Sequence, residues 1–412
     1  MRFPTPIVLA AFIFTFLIGL GGPTSQAIAG KRPPLHHVSA TACGECHQAI
    51  FQQWAGSMHA NSTALNDPIH GAMYGALVGD PKQEGAKHKK SGKYPICLQC
   101  HAPNAARDGK TKLDAMPAYA EGVNCVACHT ISSFKGTSSP EGKPQLGAKA
   151  YDFSGSSLQG PHGAFNGSDA VVSPGSGTDE KASNPFPHTG NATLFKGGDF
   201  CLGCHDQRKN PNKVPVCATG PELRESGNTV ICQSCHMPVT DGFANHAMSG
   251  GHDPAMIKRG VILDLKAEKS DGGIAAKVTL TNPLAHNFPT GAPFRNVVLK
   301  LTGLDADGKV VWKNFQKNAM KEDKKAVLML KLVGKDGKPI APPAATKIGG
   351  DSRLKPAEVR VLDYTIDAAN VATVRAELFY NLLPPPIIKK FDAKLPPEAK
   401  TPVSVGRAEV QL

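Results

Sequence analysis

The sequence predicts an α+β protein, with a front half of short helices and loops followed by an antiparallel β-sandwich of immunoglobulin-like type. Three observations point there. Cysteine punctuates the chain as far as Cys235 and then stops. Residues 135–180 are rich in Gly, Ser and Pro and carry no hydrophobic period, so they read as a long wrapping loop. From about Ile257 onward, short apolar runs alternate with polar residues and are separated by turns. The expected division is residues 30–256 for the cysteine-bearing domain and 257–412 for the β-sandwich.

The first 29 residues read as a secretory signal peptide. Arg2 precedes an apolar run from Ile7 to Leu20, and Ala27-Ile28-Ala29 forms an A-x-A cleavage site before Gly30. The run is short and broken by glycine, which argues against a membrane span; an uncleaved anchor is the alternative. No Cys stands near the cleavage site to take a lipid. The mature chain is expected in the periplasm or at the outer cell surface.

In the front half the clearest helical signal is Ala49–His59, where Ile50, Trp54 and Met58 recur at four-residue spacing. In the back half the expected strands are Val261–Lys266, Ala275–Asn282, Val297–Thr302, Val310–Trp312, Ala326–Leu332, Val359–Ile366, Val374–Phe379 and Ala408–Leu412. Asp305-Ala306-Asp307-Gly308 and Lys335-Asp336-Gly337 supply hairpin turns between them. About eight short strands over some 150 residues suit a sandwich.

The chemistry lies in C-x-x-C-H, which occurs five times: Cys43-Cys46-His47, Cys97-Cys100-His101, Cys125-Cys128-His129, Cys201-Cys204-His205 and Cys232-Cys235-His236. Two thiols three residues apart on one turn can add to the two vinyl groups of one haem, and the adjacent His reaches the iron as proximal ligand. Composition alone would give on the order of a hundredth of one such motif. Zinc ribbons do not need a His after every pair, and disulfides do not explain the trailing His. The expectation is five covalently bound haem c groups. Cys217 is left over and reads as a buried inert thiol. Haems also account for an aromatic content of only 6%, since each is itself a large apolar body.

Ten of the 15 His remain for the sixth ligand positions. Met is the alternative ligand, but the supply favours His. His162 and His188 are candidates by their position between motifs. His286 is the lone His after His252 and sits in Asn282–Gly291, a loop stiffened by Pro and Gly. As a ligand it would pin the β domain onto the haem domain. His36, His37, His70 and His88 read as solvent-facing His.

The segment Cys43–Ala60, CGECHQAIFQQWAGSMHA, resembles the first haem segment of the cytochrome c-554-like multihaem family. GVNCVACH at Gly122–His129 and FCLGCHD at Phe200–Asp206 are similar to further segments of that family. ICQSCHMP at Ile231–Pro238 with NHAMSGGH at Asn245–His252 is similar to the closing haem segment of larger relatives. The resemblance implies ligand roles for His59, His246 and His252. AHNFPTG at Ala285–Gly291 resembles a loop of their C-terminal β region. The fifth haem and the β domain depart from the tetrahaem pattern, so no relative's partner transfers.

Charge bears on partners. The formal net charge is +12, and residues 258–412 supply +10 of it, with 26 Lys and Arg against 16 Asp and Glu. Ten haem propionates would turn the front half acidic. Export and this layout exclude nucleic acid as a partner. The expected function is electron transfer between a redox-protein donor and acceptor, in anaerobic or extracellular respiration, with membrane association only through partners. One alternative is a reductase or oxidase of a small nitrogen or sulfur compound at an open haem. That would need an iron free of a sixth ligand; no C-x-x-C-K variant is present. A second alternative is a homo-oligomeric subunit of an extracellular cytochrome filament.

Overall fold

The computed structural model describes residues 33–162 and 186–412. The expected signal peptide lies outside the described residues, as do residues 163–185, which take in the end of the expected 135–180 loop. Among the described residues no helix is long and apolar enough to cross a membrane.

The front half is built from short helices whose starts are written in the sequence. Ser39 caps Ala40–Gly44 by accepting from the Thr41 amide. Asp67 caps Pro68–Leu77 with Pro at the first helical position, and Asn124 caps Cys125–His129. The expected Ala49–His59 helix runs as Gln48–Ala55. Gly56 ends it, and turns carry the chain on to His59. A small apolar cluster of Tyr74, Val78, Leu98, Ala102, Ala105, Leu113 and Tyr119 holds these helices together.

The back half contains nine strands: β1 (Ile262–Ser270), β2 (Gly273–Thr281), β3 (Asn296–Leu304), β4 (Val310–Lys313), β5 (Val327–Val333), β6 (Lys347–Asp351), β7 (Val359–Ile366), β8 (Thr373–Asn381) and β9 (Val403–Gln411). They form two antiparallel sheets, β7-β2-β1 and β6-β5-β3-β8-β9, with β4 paired to β3. In β2, Ile274, Ala276, Val278 and Leu280 point into the core while Ala275 and Lys277 face out. In β8, Val374, Ala376, Leu378 and Tyr380 are the buried set. Central β3 is buried over most of its length, including Asn296 and Thr302. Fully buried leucines such as Leu299, Leu301 and Leu378 stabilise the sandwich by about 1.5–3 kcal/mol each.

Two strands departed from the sequence reading. The last begins at Val403 and not Ala408, because a register shift between Leu378 and Phe379, opposite Gly406, breaks the period of two. β6, reading KIGGD, is exposed throughout and so has no alternation to detect.

Residues 34–412 hold together as one compact unit. Ile69 and Met73, from the helix before the second motif, pack with Phe294, Leu383 and Leu395 of the back half. Val214 packs with Leu330, Leu332 and Ala345, and the Asn210 amide donates to the carbonyls of Pro342 at 2.8 Å and Ala345 at 2.7 Å.

Candidate haem centres

Each motif lies on or beside a helical turn, which brings its two thiols and its imidazole to one side. The amide of His47 donates to the carbonyl of Cys43 at 2.9 Å, and that of His101 to Cys97 at 3.0 Å. Cys125–His129 and Cys232–His236 are themselves short helices, and Asp199–His205 ends on its motif.

The motifs also touch one another. The Cys43 side chain lies beside that of Cys125, Cys100 beside Cys204, and Cys201 beside Cys232. Cys128 in turn lies within electrostatic reach of Cys201 and Cys204. The attachment points therefore form a connected set. A row runs through the motifs of His47, His129, His205 and His236, and the motif of His101 branches from that of His205.

Imidazoles meet in pairs along this set. His129 stacks on His246 with ring centroids 6.4 Å apart and planes 20° from parallel. His236 and His286 stand 6.4 Å apart at 22°, and His205 and His59 6.0 Å apart and nearly perpendicular, at 76°. Two imidazoles sharing one metal through nitrogens at about 2.0 Å have centroids roughly 6 Å apart. His70 and His101 are closer than that, 4.2 Å apart with their planes tilted by 44°.

Hydrogen bonding leaves the correct nitrogen free. Nδ1 of His129 bonds the carbonyl of Gln159 at 2.7 Å, that of His236 the carbonyl of Ser249 at 2.6 Å, and that of His246 the carbonyl of Ala244 at 2.6 Å. Nδ1 of His286 bonds the Asn287 carbonyl at 3.0 Å. His70 and His101 both turn Nδ1 to the Ser62 carbonyl, at 2.8 and 3.0 Å. A backbone acceptor on Nδ1 fixes the tautomer and leaves Nε2 as an unprotonated ligand. Nε2 of His70 is buried without a partner, as is Nδ1 of His188. Burial, then neighbouring His205 and His236, push His59 down to about 4. His129 is also pushed down to about 4, chiefly by burial. These imidazoles are neutral at pH 7, the form that binds metal. Paired thiols, neutral imidazoles and orphaned nitrogens together fit haem c.

The remaining His fall outside these pairs. Among ring contacts of the described residues none involves His47, His162, His188 or His252. His188 opens the short strand His188–Gly190, with Nε2 so close to Gly160 that a methyl there would meet it. Electrostatically it is felt by His129, which in turn feels His47. His252 is pushed down to about 4 by burial and then by Arg295. His162 is exposed. His36 and His37 bond Asp108, and His88 accepts from Ser91 within its own turn.

His70, read in the sequence as solvent-facing, has its Nε2 buried and its ring beside His101. Asp67-Pro68 marks a helix start, and His70 is the third residue of that helix, one turn before buried Tyr74. That signal placed the residue on a helix; only the fold brought it to His101. What holds the His286 loop was also invisible. Glu222, from the Thr219–Glu225 helix, accepts from the Thr290 hydroxyl at 2.5 Å and the Asn287 amide at 3.3 Å, and pairs with Arg353 at 2.6 Å.

Residues 42–130 match the family model described as cytochrome c554 and c-prime. No match was found among curated protein sequences. Among solved structures, the chain is similar to a penta-heme cytochrome c552 from Thermochromatium tepidum, with a TM-score of 0.86 and 49% identity. That similarity covers 92% of this chain and 100% of the other. Identity at that level over nearly the whole of both chains is a family relationship, and the chain belongs to the multihaem c-type cytochromes related to cytochrome c554, with five covalently bound haems.

Proposed function

We propose that this redox protein is an exported electron carrier with every iron closed by a second imidazole, and not an enzyme acting on a small substrate. Haem supplies one-electron chemistry at its iron. The chain's own contribution is to ligate, to exclude water and to hold the five attachment points close together. The observation that carries the reading is the row of paired imidazoles on touching motifs. His246 serves the site of His129, His59 that of His205, His286 that of His236 and His70 that of His101. His188, half-buried with its Nδ1 unpartnered and, like His47, felt by His129, is assigned to close the site of His47. His162 and His252 are left without an iron in this assignment.

The residues from 257 onward act as a cap. His286 brings a back-half loop to the last motif of the row, while the basic surface of residues 258–412 faces acidic redox partners. Those partners lie in the periplasm or outside the cell, in an anaerobic or extracellular respiratory chain. A second reading rests on His47, which has no imidazole stacked on it: an open iron at that end of the row would bind a small nitrogen or sulfur species. Stopped-flow reduction of the holoprotein separates the two readings. A carrier takes up five electrons from a one-electron donor, and neither nitrite nor hydroxylamine nor sulfite reoxidises it. Rapid reoxidation by one of them at a spectrally distinct haem would overturn the carrier reading.

A further inference from the structure

Three side chains outside the haem sites converge on one point. His36 and His37 lie in the tight turn Leu35–His37, and Asp108 follows the Pro103–Arg107 helix. Nε2 of His36 lies 2.9 Å from Oδ1 of Asp108, and Nε2 of His37 lies 2.6 Å from Oδ2. The three potential ligand atoms all fall within 4.8 Å of one another. The carboxylate is held in turn by the Tyr119 hydroxyl, which donates to Oδ2 at 2.5 Å. The His37 ring meets the Tyr119 ring edge-on at 6.0 Å, and Tyr119 is itself in the core.

We propose that His36, His37 and Asp108 form a binding site for a zinc-class divalent cation, separate from the haem irons. Two imidazoles and one carboxylate are a zinc donor set, with the fourth position left for water. Neighbouring donors in a tetrahedral site with bonds of about 2.0–2.2 Å stand roughly 3.3–3.6 Å apart. From the present 2.9 and 2.6 Å, the contacts need to open by about 0.4–1.0 Å. The side chains are 14%, 24% and 26% exposed, so an ion can reach them from solvent. Arg107, the nearest fixed cation in sequence, is held by other partners, donating to Thr130 Oγ1 at 2.9 Å and lying over the Phe153 ring at 3.9 Å, although its charge still reaches His36 and Asp108. Tyr119 supplies the outer hydrogen bond that orients a metal-binding carboxylate.

Binding is balanced in protons. Each neutral imidazole that donates through Nε2–H shifts its proton to Nδ1 and offers the Nε2 lone pair to the ion, so no redox partner is needed. An ion here would fasten the Leu35–His37 turn to the Pro103–Arg107 and Pro117–Ala120 helices. The turn leads through Ser39 directly into the helix of the first C-x-x-C-H motif, and Glu121 ties Ser39 and Ala40 to Asn124 beside the third.

The test uses chelator-treated holoprotein with its five haems, titrated with Zn²⁺ alone and counted by elemental analysis after gel filtration. One zinc per five irons is expected. Asp108→Asn and the double variant His36→Gln/His37→Gln should each weaken binding at least tenfold with haem content and visible spectrum unchanged. His88→Ala should bind as the wild type does. In a second arm, Cu²⁺ should give an EPR signal split by two nitrogens, lost in the double variant. No zinc in the wild type, or equal binding by the Asp108 variant, would show that the cluster is a hydrogen-bonded knot and nothing more. Loss of binding in His88→Ala would place the ion elsewhere and overturn the proposal.

Discussion

Replacing Glu222 by alanine should loosen the junction between the haem-bearing and β halves, and the structure sets the size of the effect. Glu222 is 5% exposed and pairs with Arg353, whose side chain is 10% exposed. Breaking a buried pair typically costs about 3–5 kcal/mol, because one charge is left without its partner. Arg353 retains Asp351, which it holds through Nε at 2.9 Å and Nη2 at 2.7 Å. Although burial opposes it, these carboxylates keep the guanidinium above its usual pKa. Its charge is therefore still partly compensated, and Glu222→Ala should fall at the lower end, about 3 kcal/mol. Arg353→Ala strands a more deeply buried carboxylate and should cost more, about 4–5 kcal/mol. Denaturant unfolding of the holoprotein, followed by far-ultraviolet circular dichroism, measures both. Losing Glu222 also frees Thr290 and Asn287, so the spectrum of the haem at His236 should change with it. Losses under about 1 kcal/mol in both variants, or the reverse order between them, would refute the reasoning.

Three other perturbations follow from the structure. His286→Ala should leave five haems attached but turn one low-spin iron high-spin, or give it a different ligand, by EPR or resonance Raman; an unchanged spectrum removes His286 as a ligand. Tyr364 donates to Asp323 at 2.9 Å, and burial and that carboxylate raise its pKa. A raised phenol pKa adds stability that is present below the ordinary value near 10 and lost as pH rises through it. Tyr364→Phe should therefore flatten the alkaline limb of the stability profile, measured by denaturant midpoints from pH 8 to 11; an identical limb in both proteins contradicts it. Lys389→Glu with Lys390→Glu reverses two exposed charges of the Pro385–Phe391 helix. It should slow electron transfer with an acidic partner protein and weaken its salt dependence, and unchanged stopped-flow rates would show that this surface does not steer.

What was legible in the sequence was whatever repeats. The five motifs could be read without the fold because thioether attachment requires two thiols and an imidazole within five consecutive residues. Most of the sandwich was legible because a sheet with one wet face writes its burial in alternate residues, as in Gly273–Thr281. Lys347–Asp351 could not be read because none of its residues is buried, and the start of the last strand was hidden by the irregular pairing opposite Gly406. The partners of the motifs are a different problem. His70 lies 31 positions before His101 and His59 lies 146 before His205, so no local pattern links them, and a helical His looks the same in sequence whether it faces water or a metal. His286 stood out only because it is alone in its half of the chain. Glu222 gave no signal at all: its role appears only once its helix is packed against Arg353 and the loop at Thr290.

The most direct test of the carrier reading is quantitative EPR of the fully oxidised holoprotein, with spins integrated against five irons per chain. Closure of every site, including that of His47 by His188, predicts low-spin ferric signals accounting for all five haems. His188→Ala should then convert one-fifth of the total to high spin. A high-spin signal near g = 6 equal to one iron in the wild type, unchanged by His188→Ala, would contradict the account and make the haem at His47 an open site for substrate.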